Sequence, residues 1–184
     1  NLKRMLAYST VSQLSYIVLA AMLANTYGAF GGAMHIASHA FGKITLFFCA
    51  GAIYVASGKT EISQLRGIGR VMPWTMAAFF IGAISIIGLP PTAGFISKWY
   101  ILLGTVESEQ FIVMAVLIIS TLLSAGYLLP VVYTAFFQTN PSPLEHGEAP
   151  VAILIALGTS VALTFVMFFY PKPIFLIVKA IGLN

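Results

Sequence analysis

Apolar residues dominate this chain in long blocks separated by short polar breaks. A helix that spans a membrane needs ~20 mostly apolar residues for a ~30 Å hydrocarbon core. Residues 5–24 form the first such block, closed by Asn25, Thr26, Tyr27 and Gly28. Residues 29–56 form a second, longer block. A polar loop at 58–70 follows, with Lys59, Glu61, Arg66 and Arg70. The third block, 71–88, stops at Leu89-Pro90-Pro91-Thr92-Ala93-Gly94. A short run at 95–105 comes next, then Glu107, Glu109 and a fifth block at 111–137. The loop at 138–149 carries Pro141, Pro143 and Glu145, and Pro150 marks its boundary. A last block, 151–170, leads to Pro171-Lys172-Pro173 and a short tail.

The Pro-Pro break decides the topology. Proline removes a helix hydrogen bond and clashes with the preceding turn. Irregular backbone at membrane depth survives only inside protein or beside a water-filled cavity. The run 95–105 would be about 16 Å long at ~1.5 Å per residue. That is too short to cross alone. Residues 71–105 therefore read as one discontinuous helix, broken at Pro90, Pro91 and Gly94. The expectation is an all-α, polytopic transmembrane bundle with five crossings. Lys3, Arg4, Lys59, Arg66 and Arg70 then share one side, and Lys172 and Lys179 the other. A separate crossing by the short run would place all of them together, which the positive-inside rule prefers. Helix length is the harder constraint, so five crossings stand. Both counts put Lys3 and the loop 58–70 on the cytoplasmic or matrix side.

Composition narrows the function. Of 184 residues, 59% are hydrophobic and 8% charged. A soluble domain has roughly 25% charged residues, so a soluble enzyme is excluded. The long aromatic-rich runs exclude disorder. The single cysteine, Cys49, excludes a disulfide framework, a thiolate zinc site and an iron–sulfur cluster within the chain. The net charge of +4 reports loop orientation rather than nucleic-acid binding. The opening Asn1-Leu2-Lys3-Arg4 runs straight into an apolar block, so the chain reads as a piece of a longer one.

Three residues in the second block carry chemistry. His35, His39 and Lys43 stand at i, i+4 and i+8, on one helix face. Lys43 lies about 20 Å from either end of the block at ~1.5 Å per residue. It cannot snorkel that far, and a charge at that depth costs at least ~2.5 kcal/mol. An ion path is one reading; capping of carbonyls on a neighbouring broken helix is the other. Histidine exchanges protons near pH ~6.5 when unperturbed, so the face suits a proton relay through water. His-xxx-His offers no third metal ligand, and no metal or cofactor is expected. Lys98 follows the break, where free N–H groups at a half-helix start would set a positive patch. Lys3, Ser12 and Gln13 are accessory candidates, with Ser9 and Thr10 adding polarity to the first helix. All five carboxylates fall in loops or at helix ends. None lies within an apolar block to neutralise Lys43 or to dehydrate Na⁺, so the chain suits protons better than metal cations.

These residues resemble a known family. Lys3-Arg4-Met5-Leu6-Ala7-Tyr8-Ser9-Thr10-Val11-Ser12-Gln13 is similar to the KRxLAYST-S-Q segment of antiporter-like subunits. These are the proton-pumping membrane subunits of respiratory complex I and the related subunits of Mrp cation/proton antiporters. His35-Ile36-Ala37-Ser38-His39-Ala40-Phe41-Gly42-Lys43 resembles the family's HxxxHAFxK helix. The stretch from Gly88 to Lys98 resembles its GxPPxxGFxSK break. The resemblance implies two inverted five-helix repeats and a hydrated line of Lys, His and Glu at the midplane. It implies that residues 1–137 form the second repeat, with four crossings, and that 138–184 add a loop, a final transmembrane helix and a tail. By motif, Lys43 matches the central lysine, His35 and His39 the histidines beside it, and Lys98 the lysine or glutamate of the second broken helix. Trp99 and Tyr100 depart from the acidic pair of L-type subunits. The implied function is proton translocation within a complex I-type NADH:quinone oxidoreductase, driven by partner subunits. The alternatives are an Mrp-type exchanger of Na⁺ or K⁺ for H⁺ and a membrane anchor with a silent channel. The implied partners are other membrane subunits and the bilayer, not nucleic acid. The implied location is a bacterial inner membrane with the N-terminal end in the cytoplasm.

Overall fold

In a computed structural model the chain is a bundle of helices. The structure describes residues 1–140 and 147–180. Pro141, Pro143 and Glu145 of the polar loop lie outside the described residues. Among the described residues, four helices are long and apolar enough to cross a membrane: α1 (Leu2–Met22), α2 (Thr26–Ser57), α5 (Phe111–Phe137) and α6 (Val151–Phe169). Between them lie α3 (Pro73–Ile87) and α4 (Ala93–Glu107), each of 15 residues. At 1.5 Å per residue each reaches only about 22 Å.

Residue pairings show how these two short helices act as one. Along α2, Cys49 meets Thr75, Leu46 meets Gly82 and Gly42 meets Ile86. Further along, His35 meets Ser97, Gly31 meets Ile101 and Gly28 meets Gly104. Thus α3 and α4 run in the same direction, antiparallel to α2, and together match its length. They form a single broken crossing, as their lengths require. The break falls opposite the middle of α2, beside His39 and Lys43.

Local chemistry sets the ends of these helices. Asn25 caps α2 by accepting from the Gly28 N–H at 2.7 Å, and Gly58 ends it in the left-handed region. Pro73 starts α3, where its missing N–H costs nothing. Glu148 accepts from the Trp74 N–H and the Thr75 hydroxyl, so a carboxylate sits on the positive end of α3. The Pro90–Pro91 step then prevents continuation into α4.

Small residues allow the close packing. A Cβ at Gly31 would sit 2.7 Å from the Ile101 backbone nitrogen, so α2 and α4 approach backbone to backbone. Gly94 lies directly against the Ser85 carbonyl, which lets the two halves of the broken helix overlap by a turn. The main apolar core joins Leu2, Leu6, Leu46, Ile53, Met72, Phe79 and Leu128 from α1, α2, α3, α5 and the connecting loop.

Two regions differ from the sequence reading. The loop at 58–70 folds into two 3-10 turns, Ile62–Leu65 and Ile68–Arg70, that bury Leu65 and Ile68. The tail, for which the sequence names no element, contains a short helix, α7 (Lys172–Ala180). Its Phe175 stacks on Phe30 of α2, and its Val178 is buried. Helix α1 also starts earlier than residue 5, because Asn1 caps it by accepting from the Arg4 N–H.

Candidate functional site

One face of α1 builds a wall of the site. Leu2, Leu6, Ser9, Gln13, Tyr16 and Ala20 are buried, three or four residues apart. The polar members of that row point inward rather than to lipid. Ser9 meets the Tyr127 hydroxyl of α5 at 2.6 Å. Gln13 Nε2 lies 3.5 Å from the Ser124 hydroxyl, and Tyr16 donates to Ser120 at 2.6 Å. A hydroxyl and amide seam therefore joins α1 to α5. Thr10 back-bonds to the Leu6 carbonyl of its own helix. Ser12 is half-buried, and Lys3 is exposed with its ammonium over the Tyr54 ring. Lys3 thus stands apart from the buried group.

Facing that wall, α2 presents His35, His39 and Lys43, all buried. The two imidazoles are roughly parallel, with centroids 6.1 Å apart. Lys43 Nζ donates to the Leu6 carbonyl at 3.0 Å. It reaches an intact helix, not the broken one.

Ser97 of α4 holds His35. The Ser97 hydroxyl donates to the Gly94 carbonyl at 2.9 Å. With its proton so committed, its oxygen, 3.0 Å from His35 Nδ1, accepts from the ring in the tautomer that carries the proton on Nδ1. In that tautomer Nε2 is the bare, proton-accepting nitrogen. His35 Nε2 and His39 Nε2 are buried without a hydrogen-bond partner, as are Gln13 Oε1 and Ser85 Oγ.

Lys98 is placed differently from the sequence expectation. Its ammonium does not sit at the positive start of α4. It reaches back to the end of α3 and donates to the carbonyls of Ile86 at 3.0 Å and Ile87 at 2.9 Å. Those carbonyls lack helical partners and carry the negative end of the α3 dipole, so a flexible lysine stem turns to them. Thr121 of α5 supplies a third acceptor at 3.3 Å. The ring of Tyr16 covers the ammonium at 4.8 Å and meets His35 edge to face at 5.5 Å.

The structure thus brings His35, His39, Lys43, Lys98 and Gln13 into one buried region; Gly94 is buried where the half-helices overlap, while Pro90 and Pro91 are exposed in the break. Tyr16, Ser97, Thr121, Ser124 and Tyr127 belong to it as well and were not singled out as site residues from the sequence. Tyr16 does continue the Ser9–Gln13 row by three residues. The α5 hydroxyls have no such signal, because they sit among residues of an otherwise lipid-like helix. The carboxylates at 61, 107, 109 and 148 lie in loops or at helix ends.

The transmembrane family described as NADH:quinone oxidoreductase/Mrp antiporter matches residues 1–124. The N subunit of the NADH-quinone oxidoreductase of Desulforudis audaxviator is 44% identical over 151 residues, covering 82% of this chain and 30% of that protein. A Na(+)/H(+) antiporter protein of Alkalihalophilus pseudofirmus, the D-type component, is 32% identical over 95% of this chain and 36% of its own length. Respiratory complex I from Thermus thermophilus contains a chain of the same fold, with a TM-score of 0.84 and 25% identity. That match covers 97% of this chain and 39% of the other. The chain therefore spans about a third of the length of the relatives it matches.

Proposed function

Because the chain belongs to the NADH:quinone oxidoreductase/Mrp antiporter transmembrane family, we propose that it forms half of a proton path through an antiporter-like subunit. Protons pass between Lys43, His39, His35 and Lys98 by way of water. Residues 1–137 act as the second inverted repeat, and 138–184 add the closing helix. The subunit works beside other membrane subunits, which supply the drive by electron transfer. The charge pattern of Lys3, Arg4, Lys59, Arg66 and Arg70 against Lys172 and Lys179 supports a cytoplasmic N-terminal end in a bacterial inner membrane.

One observation carries the reading. Between two buried lysines lie two histidines whose Nε2 atoms make no hydrogen bond of good geometry among the described residues, as is true of Gln13 Oε1 and Ser85 Oγ. Buried polar atoms are paired with protein or ordered water in nearly every case. Four such atoms in one region favour a hydrated passage over a dry anchor. A row of exchangeable groups bridged by water is what proton transfer requires.

Likeness to a Na(+)/H(+) antiporter protein over 95% of the chain favours a second reading, exchange of Na⁺ or K⁺ for protons. Such ions need several oxygen ligands. The described site offers hydroxyls and carbonyls but no carboxylate, so proton transfer remains the first reading.

Proton uptake by vesicles carrying the complete complex tests this, with and without Lys43→Ala. Pumping should fall while the complex stays assembled on a native gel. Unchanged pumping would make the His–Lys face structural and favour the silent anchor. Loss of pumping only when Na⁺ is present would favour the cation exchanger.

A further inference from the structure

We propose that Tyr16 is a gate between Lys98 and His35, keeping Lys98 in a closed seat until α1 and α5 move relative to each other. The inference rests on the relay reading above. An ammonium has three N–H donors. Those of Lys98 have three acceptors: the Ile86 and Ile87 carbonyls and the Thr121 hydroxyl. The ring of Tyr16 lies against the ammonium as well, 4.8 Å from ring centroid to Nζ. No N–H is left to serve His35. In this seat Lys98 is held, not exchanging.

Tyr16 touches both sides of the missing step. Its ring packs on Lys98 and, edge to face, on His35. The carbon ring carries no exchangeable proton. Its one proton-bearing atom is turned away, donating to Ser120 at 2.6 Å. Transfer between His35 and Lys98 therefore requires the ring to swing or the ammonium to leave its seat. The lysine stem passes close over Gly88, whose positive φ of 89° favours glycine and whose Cβ would sit 2.7 Å from Lys98 Cδ.

The gate is tied to α5 twice, through adjacent residues. Ser120 pins the Tyr16 hydroxyl, and Thr121 holds the ammonium. One displacement of α5 against α1 would release both. Opening of the gate and release of Lys98 are thereby linked.

The test uses the complete subunit in its native complex, reconstituted into vesicles without electron donor. Passive proton conductance is read under an imposed pH gradient. Tyr16→Leu keeps apolar bulk but removes the π face. Loss of a desolvated cation–π contact shifts the seated population by about thirtyfold, so leak should rise by a comparable factor. Tyr16→Phe keeps the ring and drops the pin, and should raise leak less. Adding Lys43→Ala to Tyr16→Leu should return leak to the wild-type level, because the leak runs through the relay. Wild-type leak in both Tyr16 variants overturns the gate, as does leak that persists in the double variant. If Tyr16→Leu does not assemble, the Tyr16→Phe result alone decides. Failure of the underlying relay reads separately, as unchanged driven pumping in Lys43→Ala alone.

Discussion

Replacing Ser97 by alanine probes how the broken helix prepares His35. The Ser97 hydroxyl is fully buried, gives its proton to Gly94 and, in the Nδ1–H tautomer, accepts from His35. Alanine removes that acceptor and leaves a buried N–H unpaired. A net neutral hydrogen bond is worth about 1 kcal/mol, and an orphaned buried donor costs about 1–3 kcal/mol. The ratio of Nδ1–H to Nε2–H tautomers should therefore shift by about tenfold or more toward Nε2–H. That change fills the nitrogen that must accept the proton. Driven pumping should fall by a similar factor while assembly is retained. Nitrogen-15 NMR of histidine-labelled complex reads the tautomer directly, with His35→Gln used to assign the signal. Ser97→Thr keeps a hydroxyl and should restore both tautomer and pumping. An unchanged His35 tautomer in Ser97→Ala would refute the reasoning, whatever happened to pumping.

Other perturbations follow from the same packing. Gly31→Ala would force α2 from α4, because its Cβ meets backbone atoms of Ile101 and Ser97 that cannot swing aside. A loss of about 1–3 kcal/mol should appear as a lower thermal midpoint of the solubilised complex; an unchanged midpoint would deny the close approach. Thr121→Val keeps shape but removes one of the three acceptors of Lys98. High-resolution maps should show the lysine turned from the end of α3, and an unmoved lysine counts against the three-point seat. Glu148→Ala removes the cap on α3, including its bonds to Trp74 N–H and the Thr75 hydroxyl. A cap of this kind is worth about 1 kcal/mol, so hydrogen exchange should quicken at the first turn of α3 and not at α5.

Much of the architecture was legible along the chain because a bilayer imposes simple rules. Apolar length alone placed the second helix, the fifth at Phe111–Phe137 and the last within a few residues. Pro90 and Pro91 placed the break, since proline ends a helix whatever surrounds it. The i, i+4, i+8 spacing put His35, His39 and Lys43 on one face, because helical periodicity needs no partner to be read. The short α7 was missed, because a helix of this length depends on what it packs against. Here that is Phe30 and its neighbours on α2.

Other decisions belonged to tertiary structure. That residue 98 is a lysine is written in the chain, but its choice of the α3 carbonyls depends on the two halves overlapping at Gly94 and Ser85. Tyr16 and Gln13 of α1 stand far along the chain from Ser120, Thr121 and Ser124 of α5, and no local pattern relates them. They meet only because α1 and α5 run antiparallel. The sequence by itself determined how many apolar segments there are, where backbone order breaks and which residues carry charge at depth. Those follow from local covalent chemistry and the solvent. Which carbonyl holds each lysine, which side chain faces His35 Nδ1 and which ring stands beside them depend on distances between helices. Only packing sets those.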